Sequence, residues 1–163
     1  MKPNIIVFPG SNCDRDVSVA IENVLGFSPK MIWHKETSLK NTSLIVLPGG
    51  FSHGDYLRSG SIASRAPIMK EVVKKANNGT AVIGICNGFQ ILTECGLLPG
   101  ALMRNNKMQF ICKYTCLISN NENNWINKSQ IGKIVSMPVA HHDGNYYADN
   151  TIIERLIKDN RIT

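Results

Sequence analysis

Short, wholly apolar runs alternate along this chain with stretches whose apolar residues recur at helical spacing. Ile5-Ile6-Val7-Phe8 is such a run, ended by Pro9-Gly10. Lys30 to His34 and Leu44 to Leu47 read as two further strands, the second ended by Pro48-Gly49-Gly50. Between them the spacing predicts a helix from Asp14 or Asp16, either of which can cap it, to Val24-Leu25, with Gly26 as its stop. A second helix is predicted over Pro67 to Asn77 and stopped by Gly79. A fourth strand, Ala81 to Ile85, then leads into a helix ending at Glu94 and closed by Gly96. Apolar strands alternating with helices indicate a parallel sheet covered on both faces. The pattern changes after Gly100. Phe110 to Ile118 and Ile134 to Val139 read as β segments, with Asn120 to Asn124 as a turn between them. Tyr146-Tyr147-Ala148 reads as extended, and Ile152 to Lys158 as a helix capped by Thr151. No repeat, interdomain linker or low-complexity tail interrupts this order, so a single domain over 1–163 is expected.

Composition narrows the class. The chain has 163 residues, 43% of them hydrophobic, which suits a globular domain with a real core. No apolar stretch approaches the roughly 20 residues that span a membrane. Met1-Lys2-Pro3-Asn4 leads straight into a strand without a secretory pattern, which gives a cytoplasmic expectation. The net charge of +6 comes from scattered lysines, with no basic stripe interleaved with aromatics, so nucleic-acid binding is not expected. The five cysteines, an odd number, argue for free thiols. Cys112 and Cys116 lack a second Cys or His pair, so no metal site is expected.

One cysteine stands apart. Gly84-Ile85-Cys86-Asn87-Gly88 sits where the fourth strand gives way to its helix. Glycines on both sides let the backbone take a sharp strand-to-helix turn around Cys86, the geometry of a nucleophile elbow. A helix starting just after the sulfur points free N–H groups and its dipole at it, which favours thiolate over thiol. The backbone N–H of Asn87 can serve an oxyanion. Gly49 and Gly50, at the end of another strand, can bring further N–H groups to the same place, because parallel sheets bind ligands beyond the carboxyl ends of their strands.

With these residues in place, Gly84-Ile85-Cys86-Asn87-Gly88-Phe89-Gln90 resembles the nucleophile motif of class I (triad) glutamine amidotransferases, a family of flavodoxin-like α/β fold. Further text narrows the resemblance. Phe8 to Asp14, Pro48 to Arg58, Gly96 to Ala101, Arg104-Asn105 and Pro138-Val139-Ala140-His141 are similar to one branch, the glutaminase subunits of phosphoribosylformylglycinamidine synthases. The resemblance covers the chain from Ile5 to about Ile162. It implies that Cys86 attacks the side-chain amide of glutamine, with the oxyanion held by backbone at Gly49, Gly50 and Asn87. It implies that Gln90 and His141 bind substrate. Ammonia would pass to a large synthetase subunit that uses ATP and magnesium to make formylglycinamidine ribonucleotide in purine biosynthesis. A small bridging subunit would join the two, and Asp55 to Arg58 would face the synthetase. No cofactor is expected in this chain itself.

Against the family pattern, two departures stand out. The family takes its base and acid from a late His-Pro-Glu motif, and none of His34, His53, His141 and His142 is followed by proline. Relative to the family the sequence reads as truncated at its C-terminus, as a fragment or as a short form, and the chain alone is expected to hydrolyse glutamine poorly. His142-Asp143 stands where the family reads Gly-Glu. Two other functions remain open: a partner-binding module without activity, and a cysteine hydrolase of a related α/β class with another base. For the latter, Glu22 and Glu36 have no supporting motif.

Overall fold

Ile5, Ile6, Ile45 and Leu47 are fully buried, and they belong to strands with apolar side chains on both faces. That pattern requires cover above and below the sheet, and the computed structural model supplies it. The model describes residues 2–122 and 125–162. Asn123 and Asn124, the end of the expected Asn-rich turn, lie outside the described residues. The chain divides into two compact units, one up to Pro99 and one from Gly100.

The first unit is a four-stranded parallel sheet in the order β2-β1-β3-β4. Its strands are β1 (Pro3–Val7), β2 (Lys30–Trp33), β3 (Leu44–Leu47) and β4 (Ala81–Gly84). Val17 and Ile21 of helix α1 (Asp14–Leu25) pack on Ile5, Leu44 and Val46 on one face. Helices α2 (Pro67–Asn77) and α3 (Asn87–Glu94) cover the other face. There Ile68, Met69, Val72, Ile91 and Leu92 close over Ile6, Phe8, Ile32, Ile45 and Leu47. This is the doubly covered, flavodoxin-like arrangement expected of the family. Because every pairing is parallel, the carboxyl ends of β1, β3 and β4 lie side by side.

The helix ends follow local chemistry, with two corrections. Gly26 does terminate α1, in the left-handed region at φ 75°. The cap of α1, however, is Cys13, whose carbonyl accepts from Val17 N–H at 3.1 Å. Asp14 and Asp16 lie in the first turn instead, where a carboxylate faces the positive end of the helix dipole.

The second unit contains two antiparallel ribbons. Strands β6 (Ile111–Ile118) and β7 (Ile134–His141) pair from Ile111 with His141 to Ile118 with Ile134. Strands β5 (Ala101–Met103) and β8 (Asn145–Tyr147) form the other ribbon. Helix α4 (Asn150–Lys158) is capped by Asp149, not by Thr151. The Asp149 carboxylate accepts from Ile152 N–H at 2.9 Å. Thr151 donates its own hydroxyl to the same oxygen, so it supports the cap without forming it. No described helix is long and apolar enough to cross a membrane.

Candidate functional site

Cys86 joins β4 to α3 with φ 51° and ψ −108°. An L-residue rarely adopts that conformation, so the backbone there is strained. The glycines around it make the turn possible. A Cβ on Gly84 would come within 2.7 Å of the Gly88 carbonyl carbon, and one on Gly88 within 2.7 Å of the Leu47 carbonyl carbon. Strand β3, strand β4 and the start of α3 therefore pack backbone against backbone. Ile85 N–H reaches Leu47 O at 3.0 Å, and Gly88 N–H reaches Ile85 O at 2.8 Å. The result holds Cys86 exposed at the sheet edge, at the mouth of a helix. As the first residue of α3, Asn87 has one of the backbone N–H groups that a helix leaves without an internal acceptor.

Gly49 lies against the cysteine. A Cβ built on it would stand 3.4 Å from Cys86 Cβ and 3.7 Å from Cys13 Cβ. Gly50 follows at φ 127°, so close to the β1 loop that a Cβ would come within 2.5 Å of Asn12 N. The loops after β1 and β3 are tied together by Phe51 N–H on Gly10 O at 2.9 Å and Cys13 N–H on Gly49 O at 3.4 Å. Three of the sequence-derived residues, Gly49, Cys86 and Asn87, thus meet at one sheet edge with Gly50 beside them. Cys13, which stands in the Phe8 to Asp14 stretch without an assigned role, joins them. Its thiol is pushed up, first by burial and then by Asp16, Cys86 and Asp14, which keeps it protonated next to the exposed sulfur.

The Asn87 side chain has a separate task. It is buried, and its Oδ1 accepts Ser52 N–H at 3.1 Å and the Ser52 hydroxyl. Its Nδ2 donates to Asp55 at 3.2 Å and to Gln90 Oε1 at 2.9 Å. One amide thereby fastens the Ser52–Asp55 turn to α3, and that turn is tight enough to hold His53 at φ 55°. Gln90, expected to bind substrate, is buried with its carbonyl oxygen engaged by Asn87. On the outside, Arg58 pairs with Glu94 through Nε at 2.5 Å and Nη2 at 2.8 Å. Tyr56 and Leu57 beside it are exposed.

His141 belongs to the second unit. Its Nδ1 lies 3.1 Å from Asn105 Oδ1, which also accepts Gly144 N–H at 3.1 Å. Asn105 Nδ2 donates to His141 O at 2.9 Å and Gln109 O at 2.8 Å. Asn105 is thus the hub that orients this histidine, and a side chain at Gly144 would collide with the imidazole. These residues, with Lys107 and Phe110, line a cavity of about 350 Å³. Asp143, where the family reads glutamate, is buried and meets Arg104 Nε at 3.3 Å. Glu22 and Glu36 both serve local structure. Glu22 accepts from the Ser28 hydroxyl at 3.0 Å, and Glu36 accepts Trp33 N–H at 3.2 Å.

Comparison with known proteins identifies the family. Residues 1–163 match the model of the CobB/CobQ-like glutamine amidotransferase domain. The chain is 52% identical over 164 residues to phosphoribosylformylglycinamidine synthase subunit PurQ of Zymomonas mobilis, covering 99% of this chain and 74% of that one. It is 52% identical to the same subunit of Moorella thermoacetica, covering 69% of its length. In the structure of PurLQS from Thermotoga maritima, one chain matches with a TM-score of 0.81 and 44% identity, over 91% of this chain and 70% of that chain. The chain belongs to the CobB/CobQ-like glutamine amidotransferase family, in the branch of phosphoribosylformylglycinamidine synthase subunit PurQ.

Proposed function

We propose that this chain is the glutamine-hydrolysing subunit of a phosphoribosylformylglycinamidine synthase and that Cys86 is its nucleophile. The observation that carries the reading is the Cys86 turn, strained at φ 51° with Gly49 packed on it. Cys86 Sγ attacks the side-chain carbonyl carbon of glutamine. The resulting oxyanion takes hydrogen bonds from backbone N–H groups at Asn87 and at Gly49 and Gly50. Collapse expels ammonia, whose third proton is the one the Cys86 thiol gives up, and leaves a γ-glutamyl thioester, which water hydrolyses to glutamate and the free thiol. Gln90 and His141 are assigned to substrate binding by the resemblance. The Asn87 side chain holds the Ser52–Asp55 turn against α3 and is a positioning group. Ammonia then passes to a synthetase subunit of the PurL kind, with a PurS-like subunit bridging, and ATP and magnesium act on that synthetase. A cytoplasmic setting accords with this role.

The test separates glutamine chemistry from amidine synthesis. In the complex with its synthetase and bridging subunits, Cys86→Ala is expected to abolish glutamine-dependent amidine formation, because no thioester forms without the sulfur. Synthesis driven by added ammonium salt should continue at the wild-type rate. Retained glutamine-dependent turnover would overturn the assignment of Cys86.

A further inference from the structure

Cys13 and Cys86 are each the cap residue of a helix, Cys13 of α1 and Cys86 of α3, and neither uses its side chain to cap. Both sulfurs are therefore left to rotate beyond the carboxyl ends of the strands, Cys13 half-buried and Cys86 exposed. Gly49 touches both residues. A Cβ built on it would stand 3.4 Å from Cys86 Cβ and 3.7 Å from Cys13 Cβ. The two cysteine Cβ atoms are thus no farther apart than those distances laid end to end, about 7 Å, where a disulfide holds them about 3.5–4.5 Å apart. Gly49 itself carries no side chain to stand in the way. The bond that joins the two loops, Cys13 N–H on Gly49 O at 3.4 Å, is long for its kind, so the loop that carries Cys13 gives up little in moving. The third cysteine of the first unit, Cys95, packs against the core and turns its thiol to Leu92 O at 3.5 Å.

A nucleophilic sulfur open to solvent is also open to peroxides, which carry it to sulfenic acid and, where no second thiol intervenes, on to sulfinic acid. We infer that Cys13 is the resolving thiol for Cys86, closing a reversible disulfide that takes the nucleophile out of use under oxidation. The oxidant is hydrogen peroxide. The Cys86 thiolate attacks one peroxide oxygen, so that an S–O bond forms, the O–O bond breaks and hydroxide leaves. The sulfur gives up two electrons and the peroxide gains them. The Cys13 sulfur then attacks the Cys86 sulfur. An S–S bond forms, the S–O bond breaks, and the departing hydroxide takes the Cys13 proton and leaves as water. Burial, Asp16, Cys86 and Asp14 all push the Cys13 thiol up, so Cys13 reacts second. The disulfide stands on the geometry of the first unit alone, and only its effect on glutamine hydrolysis rests on the reading of Cys86 as nucleophile.

Treating the complex with its synthetase and bridging subunits with hydrogen peroxide, and mapping its peptides by mass spectrometry without reduction, tests this. The peptide bearing Cys13 should appear linked to the one bearing Cys86, lighter than the reduced pair by two hydrogen atoms. Fragment spectra should place the link at Cys86 and not at Cys95. Glutamine-dependent amidine formation should be lost and then restored by dithiothreitol, while synthesis driven by ammonium salt continues throughout. In Cys13→Ser, compared with its own untreated rate, the loss should persist after dithiothreitol, with sulfinic acid at Cys86. A linked peptide without loss of glutamine-dependent synthesis would uphold the disulfide and overturn Cys86 as the nucleophile. Absence of the Cys13–Cys86 link in the wild-type chain, a link from Cys86 to another cysteine, or full recovery of Cys13→Ser would overturn the inference.

Discussion

Gly49 is the residue at which a single methyl group reads out the site. Its missing side chain would sit 3.4 Å from Cys86 Cβ and 3.7 Å from Cys13 Cβ, which is ordinary van der Waals contact. Its backbone has no need of glycine, since Gly49, unlike Gly50, does not carry a positive φ. Gly49→Ala should therefore fold normally. The added methyl would stand beside Cys86, where the proposed chemistry brings the substrate amide. Glutamine turnover in the assembled complex should fall by about 10²-fold, the scale of a small misplacement near reacting atoms. Steady-state kinetics with glutamine and with ammonia reads this directly, and an unchanged glutamine rate would place the reacting carbonyl elsewhere. Cys86 was legible in the sequence because the glycines around it encode the turn. Cys13 was not, because its place beside Cys86 is created by two loops meeting in space. The knot of Ser52, Asp55, Asn87 and Gln90 was hidden for the same reason, since Ser52 and Asn87 are 35 positions apart. Asn105 stood in a recognised stretch of text, yet its part in holding His141 depends on a ribbon that sequence spacing does not describe.

At the scale of elements, sequence served best where punctuation is strong. Pro67 opens α2 and Gly79 follows its end, and the observed helix matches the expected Pro67 to Asn77. Caps were harder, because several polar residues compete for the same role. Asp149 outranks Thr151 by reaching Ile152 N–H from one residue outside the helix. Strand β5, only Ala101–Met103, was missed because three residues show no period, and its partner strand lies far along the chain. Between β2 and α2, His34 has a consequence for pH. Its backbone bonds to Val7 O at 2.9 Å and Ile68 N at 3.2 Å hold it in place. Its ring is buried against Phe8, Trp33 and His53. Burial lowers its affinity for a proton, with His53 and Lys35 adding to the effect. The unfolded chain then binds the proton more readily than the folded one. The stability from neutral His34 is whole above the unfolded value of about 6.5 and is lost as pH falls toward the lowered folded value. Urea denaturation between pH 5 and 8 should show this decline, and His34→Gln should flatten it. An identical slope in the variant would remove His34 from the account.

For the whole molecule, the change of pattern after Gly100 was visible before the structure, and the two units differ in kind accordingly. The first is a parallel sheet that needs helices on both faces, which continuous apolar strands announce. The second contains antiparallel ribbons whose faces retain exposed side chains such as Tyr114 and Ile134, so hydrophobic pattern alone says less about its packing. The Cys86 turn also bears on the thermal stability of the entire chain. A residue at φ 51° and ψ −108° is held there by its surroundings against its own preference. Such strain is worth about 1–3 kcal/mol, whereas glycine loses only about 0.5–1 kcal/mol to alanine through unfolded-state entropy. Cys86→Gly should therefore melt at a higher temperature than Cys86→Ala, reversing the usual order of these two residues. Scanning calorimetry on the pair measures the difference, and the ordinary order would mean that the turn is relaxed. If the reversal holds, the protein has accepted a weaker native state in order to keep a reactive side chain at that position, and selection for robustness alone would have removed the cysteine.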